Sequence, residues 1–158
     1  MKQIRKYFHY SIKLFFLILL TFTFACSNSS NIKENNNQYE TLKDYLKTKH
    51  NFDLGVNYKR IFILTDKNCH NCNRFFAKTI EKNLNELNSL FIVTASSSNI
   101  DLSSFKNSKN ILFDRDNGKI KILEKSKIIF LNKKTIDTIL NIELNNLTII
   151  EKTIDSRK

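Results

Sequence analysis

One stretch, Arg60 to Glu86 (RIFILTDKNCHNCNRFFAKTIEKNLNE), constrains the fold of this chain more than any other. It opens with Ile61-Phe62-Ile63-Leu64, an apolar run rich in β-branched and aromatic residues, which reads as a buried strand. Thr65-Asp66 ends the strand and Lys67-Asn68 turns the chain. Cys69 and Cys72 follow in C-x-x-C spacing. From Cys72 onward Phe75, Phe76, Ile80, Leu84 and Leu87 recur at helical spacing, with Lys and Glu between them. The cysteine pair therefore falls where a central strand hands over to a helix, with Cys69 near the helix N-terminus. Unsatisfied backbone N–H groups and the positive end of the helix dipole meet there, and both favour a thiolate. A thiolate is the nucleophile of disulfide exchange.

The other elements are arranged around that unit. The chain has 158 residues, enough for one domain with a substantial core. It has no Pro and only two Gly, so Asn must serve at turns where Gly and Pro usually stand. Glu40 to His50, with Leu42, Tyr45 and Leu46 on one face, reads as a short helix. Asn51 to Tyr58 alternates Phe52, Leu54 and Val56 and reads as a first, edge strand. Residues 90–95 read as a second central strand, 96–108 as a short helix, and 110–113 as a third strand closed by the turn Asp114 to Gly118. Residues 119–125 carry no clear signal. Residues 127–131 and 135–142 form a hairpin about Asn132-Lys133-Lys134, and Leu144, Leu147, Ile150 and Ile154 mark a closing helix. Alternating strand and helix in the first half argues for parallel pairing, and the hairpin is antiparallel. The fold class is α/β, a mixed sheet flanked by helices.

The N-terminal residues stand apart. Lys2, Arg5 and Lys6 precede an apolar run from Ile12 to Phe24, which ends in Thr23-Phe24-Ala25-Cys26. This is the pattern of a secretory signal over 1–25. The alternative is an uncleaved anchor helix, but the apolar core is shorter than the roughly 20 residues a span needs. Cys26 directly after Ala25 resembles the lipobox of bacterial lipoproteins, with Thr23 where Leu is usual. The resemblance implies that Cys26 is lipidated and tethers the chain to a membrane of the bacterial cell envelope, on its extracytoplasmic side. Residues 26–39 include the polar run SNSSNIKENNN and read as a flexible tether, leaving 40–158 as the folded domain.

Charge excludes one class of partner. All 15 acidic residues lie beyond residue 25, with 22 of the 26 basic ones, so the segment after the leader carries +7. The basic residues are dispersed and are not interleaved with aromatics as on a nucleic-acid surface. No nucleic-acid partner is expected. A solvated surface beside anionic lipid accounts for the excess.

With Cys26 assigned to lipid, the chain's three cysteines leave one pair, Cys69 and Cys72, in an extracytoplasmic domain. Three uses remain open. The pair could be a redox couple, an inert staple or part of a metal site. A bridge closing so short a loop restricts the unfolded chain little. Zinc takes four ligands, whereas Cys69, His70 and Cys72 offer three on a single turn, with His50 as a distant fourth. No metal or other cofactor is expected. Haem attachment requires His after the second cysteine, where Asn73 stands.

Strand, short turn, C-x-x-C and amphipathic helix over Ile61–Leu87 resemble the active site of the thioredoxin superfamily, and the likeness extends from about Lys43 to the C-terminus. It implies a thioredoxin-like fold and a thiol–disulfide oxidoreductase. In it Cys69 is the attacking thiol and Cys72 the resolving one, acting on a disulfide-containing client and served by a redox partner. His70 between the cysteines would stabilise the thiolate, or is an exposed polar residue; relatives with His usually carry it in the slot held here by Asn71. Asp66 would take the resolving thiol's proton, or caps the turn. The family places a cis-proline before the first hairpin strand, where this chain has Ser126. A non-proline cis bond costs about 2.5–4 kcal/mol, so Ser126 is expected in a trans peptide, with part of the client's docking edge lost. A peroxide reductase would need its own peroxidatic motif, and none is found. The alternative from another class is a lipoprotein binding module on the same scaffold without redox turnover.

Overall fold

The computed structural model describes residues 34–157 except 68, 95–99, 107 and 115–119. The proposed leader, its Cys26 and tether residues 26–33 lie outside the described residues. The chain divides between Asn37 and Gln38, and the unit Gln38–Lys158 contains the sheet.

The unit is an α/β sandwich around a mixed sheet of five strands in the order β3-β2-β1-β4-β5, with three helices. The elements are α1 (34–50), β1 (Arg60–Leu64), α2 (His70–Asn83), β2 (Ser89–Val93), β3 (Ile111–Phe113), β4 (Lys127–Asn132), β5 (Thr135–Asn141) and α3 (Leu147–Ser156). β1 pairs in parallel with β2, and β2 with β3. On its other side β1 pairs antiparallel with β4, which turns through Lys133-Lys134 into β5. Among the described residues no helix is long and apolar enough to cross a membrane.

β1 is covered on both faces, which is why its sequence is a continuous apolar run rather than an alternation. Phe62 and Leu64 face one core with Phe91, Val93, Ile128 and Phe130, closed by Phe76 and Ile80 of α2 and Ile150 and Ile154 of α3. Phe62 stacks on Phe91 with ring centres 5.0 Å apart. Ile61 and Ile63 face the second core with Leu90, Ile92, Ile129 and Leu131, closed by Tyr39, Leu42 and Leu46 of α1. Each such side chain contributes about 1.5–3 kcal/mol on burial. Both cores converge on β1 and hold its C-terminal end, where the cysteines follow.

Several sequence expectations change. α2 ends at Asn83, so Leu87, 85% exposed, lies beyond it, and α3 starts only at Leu147, leaving Leu144 outside it. The first helix begins by residue 34, so 34–39 are helical rather than tether. Tyr39, only 1% exposed, extends the Leu42–Leu46 stripe back by one turn, and its hydroxyl donates to the Leu54 carbonyl at 3.4 Å. Residues 51–58 form no strand. Asn51 takes a φ of 49°, ending α1, and the Phe52 N–H reaches back to the Leu46 carbonyl at 3.1 Å. Leu54 is buried and Phe52 packs on Tyr58, so the alternation records a loop laid along the core rather than a ladder. The helix expected over 96–108 is, in its described part, a single 3₁₀ turn at Ser103–Phe105, and 119–125 contains another at Lys121–Leu123.

Candidate functional site

The site is built at the end of β1. Thr94 continues the parallel ladder, its N–H donating to the Leu64 carbonyl at 2.8 Å. Thr65 leaves the sheet. Its side-chain oxygen accepts from the Lys67 N–H at 3.3 Å, a local turn bond that aims the chain toward α2. Cys69 is the N-cap of α2, and its carbonyl accepts the first helical bond, from Asn73 N–H at 3.0 Å. Cys69 Sγ accepts from the Cys72 N–H at 3.1 Å, in the position a capping oxygen usually occupies. No acidic residue lies in the first turn of α2 to oppose a negative sulfur there.

Cys69 and Cys72 form a disulfide, with Cα atoms 5.2 Å apart. Their environments differ: Cys72 is 2% exposed and packs in the core beside Phe76, whereas Cys69 is exposed. Cys69 is therefore the more accessible member of the pair, an asymmetry that sequence spacing alone does not contain.

Ser126 is fully buried behind the pair. Its hydroxyl oxygen accepts from the Thr65 N–H at 3.0 Å, and its hydrogen lies within reach of the Thr65 carbonyl at 3.2 Å and Asn73 Oδ1 at 3.1 Å. The Ser126 carbonyl accepts from Ile142 N–H at 2.9 Å. No cis peptide bond occurs among the described residues, so Ser126 follows a trans bond. One buried hydroxyl thus ties together the end of β1, the first turn of α2 and the entry to β4.

A surface depression of about 310 Å³ opens over the disulfide, lined by Cys69, Cys72, Lys125 and the run Asn141 to Leu144. Leu144 is 69% exposed and supplies an apolar rim. The sequence reading missed these wall residues. Asn141 sits opposite Lys127 in the β4–β5 register, so extending the hairpin to its open end would have placed residues 141–144 beside Ser126. Lys127 is buried next to this wall, and burial, reinforced by the charge of Lys125, holds its ammonium below the usual lysine range.

His70 is the first residue of α2, exposed and off the wall of the depression. Asp66 is half-buried in the β1–α2 turn and also off that wall. His50 lies on α1 with its ring edge-on to Tyr45 at 6.1 Å. Among the described residues no three His, Cys, Asp or Glu side chains gather as metal ligands, so His50 does not join the cysteines.

No protein-family model, curated protein or solved structure matches the chain.

Proposed function

We propose that this chain is a thioredoxin-like thiol–disulfide oxidoreductase, held at the extracytoplasmic face of a bacterial membrane by lipid on Cys26. The observation that carries the reading is the exposed Cys69 capping α2 in a disulfide with buried Cys72. The strand order, the β1–α2–β2 crossover and the antiparallel β4–β5 hairpin support the thioredoxin-like assignment. The lipobox-like sequence at 23–26 supports the anchor.

In the reducing direction the Cys69 thiolate attacks one sulfur of a client disulfide. That S–S bond breaks, a Cys69–client bond forms, and the client's other sulfur leaves as a thiolate that takes a proton from water. Cys72 loses its proton and attacks Cys69 Sγ. The mixed disulfide breaks, the second client sulfur leaves, and the Cys69–Cys72 bond forms. The client gains two electrons and the protein loses two. A partner dithiol attacking exposed Cys69 runs the same steps backwards and restores the reduced pair. Developing charge on Cys69 Sγ meets the Cys72 N–H and the start of α2. The trans Ser126 segment, with its carbonyl already bonded to Ile142, offers less edge to an extended client, which favours a dedicated partner.

Equilibration in glutathione buffers of graded ratio tests the reading. The expected result is a reversible two-electron transition between dithiol and disulfide in the folded protein. A bridge that opens only after unfolding is an inert staple, and that result would leave a binding module in place of the enzyme.

A further inference from the structure

Lys125 and Glu143 are the two charged side chains on the wall of the depression over the disulfide. Both are fixed through the backbone rather than by ion pairs. Lys125 directly precedes Ser126, whose hydroxyl is bound to Thr65 and Asn73. Glu143 follows Ile142, whose N–H is bound to the Ser126 carbonyl, and its own N–H donates to Asn146 Oδ1 at 3.0 Å. None of the ion pairs among the described residues includes either side chain. His70, nearer in sequence, is exposed and off this wall.

The geometry points to Lys125 as the cation that sets the thiol–disulfide equilibrium of Cys69, opposed by Glu143 across the same depression. The assignment rests on the redox reading above. Reduction by two glutathione thiols yields the protein dithiol and glutathione disulfide, and it converts a neutral bridge into a pair whose exposed sulfur ionises. A positive charge on the wall stabilises that thiolate and so favours the reduced form; a negative charge does the reverse. The depression is about as wide as the screening length of about 8 Å at physiological ionic strength, so a charge on its wall is only partly screened from the sulfur. Ile142, Leu144 and buried Cys72 make much of its wall apolar, which strengthens the field. The other charged or titratable groups that sequence or strand register brings to this end of the sheet are Asp66, Lys67, His70 and Arg74 from the turn and α2, and Glu124 and Lys127 flanking the wall on the β4 side.

The test compares wild type, Lys125→Gln, Lys125→Arg and Glu143→Gln by glutathione equilibrium constant and by thiolate absorbance against pH. Lys125→Gln is expected to shift the constant toward disulfide by about two- to fivefold and to raise the pH at which the Cys69 thiolate appears. Glu143→Gln should move both readouts the opposite way, and Lys125→Arg should restore both. A fold defect would not produce opposite shifts from two neutralisations. If wild type cycles reversibly and Lys125→Gln leaves both readouts unchanged, the role of Lys125 is overturned and the redox reading stands. If wild type has no reversible couple, both fall.

Discussion

The buried hydroxyl of Ser126 lies 3.1 Å from the side-chain oxygen of Asn73, the residue that follows Cys72 in α2. Through this contact the first turn of the motif helix is tied to the entry of β4, and through the Thr65 N–H, 3.0 Å away, to the end of β1. The hydroxyl thus has three polar partners, the Thr65 N–H, the Thr65 carbonyl and Asn73 Oδ1. Removing it strands groups that water cannot reach. Ser126→Ala is expected to cost about 1–3 kcal/mol, the penalty for leaving a buried donor unpaired. Urea unfolding of the oxidised variant measures it. A double cycle with Asn73→Leu should show coupling of about 0.5–3 kcal/mol; simple additivity would mean that the contact does not hold the two segments together.

Lys127 leads to a pH prediction. Burial lowers its pKa below the ordinary 10.5, with Lys125 adding to the effect. The unfolded chain then binds this proton more tightly than the folded one. Its contribution to stability therefore rises with pH between the lowered value and 10.5, and at lower pH the charged group opposes folding. Lys127→Met is expected to stabilise the protein at neutral pH by about 1 kcal/mol. Its advantage over wild type should shrink as pH approaches 10.5. Thermal unfolding of both proteins along a pH series reads this directly. A constant difference would show that the lysine's charge is not what burial penalises.

The sequence displayed the central unit because several signals coincide there. Ile61 to Leu64 is buried on both faces, so hydrophobicity alone marked it as a strand, and the period changes to helical just after Cys72. The hairpin was legible for the same reason, with Leu131 and Ile136 paired around Lys133-Lys134. Residues 51–58 misled because Phe52 and Leu54 pack on the core from a loop while Val56, the third residue of the alternation, is 55% exposed, so the pattern came from neither a ladder nor a continuous buried face. Tyr39 was hidden by the Asn-rich run before it, whose polarity outweighed one aromatic residue. At the candidate site, Cys69, Cys72 and Ser126 were named from the sequence and lie at or next to the depression, His70 and Asp66 were named with them and lie off its wall, and Lys125 and the run from Asn141 to Leu144 come together only through strand register.

The anchor has its own test. Cys26 should incorporate labelled fatty acid, and Cys26→Ser should not. Anchoring by two chains would be stable where one is marginal, at about 0.8 kcal/mol per buried CH₂. Equal labelling of both forms, or none, would remove the lipoprotein assignment without touching the redox chemistry.

The most direct measurement of the central claim is trapping of the mixed disulfide. Cys69 is exposed while Cys72 is 2% exposed, so the exchange with a client is assigned to Cys69. Cys72→Ser, expressed in cells and alkylated on lysis, is expected to carry clients bound through Cys69, resolvable by non-reducing electrophoresis and identified by peptide mapping. Cys69→Ser should carry none. Trapping through Cys72 in the Cys69→Ser protein, with none in Cys72→Ser, would contradict the assignment of the two sulfurs.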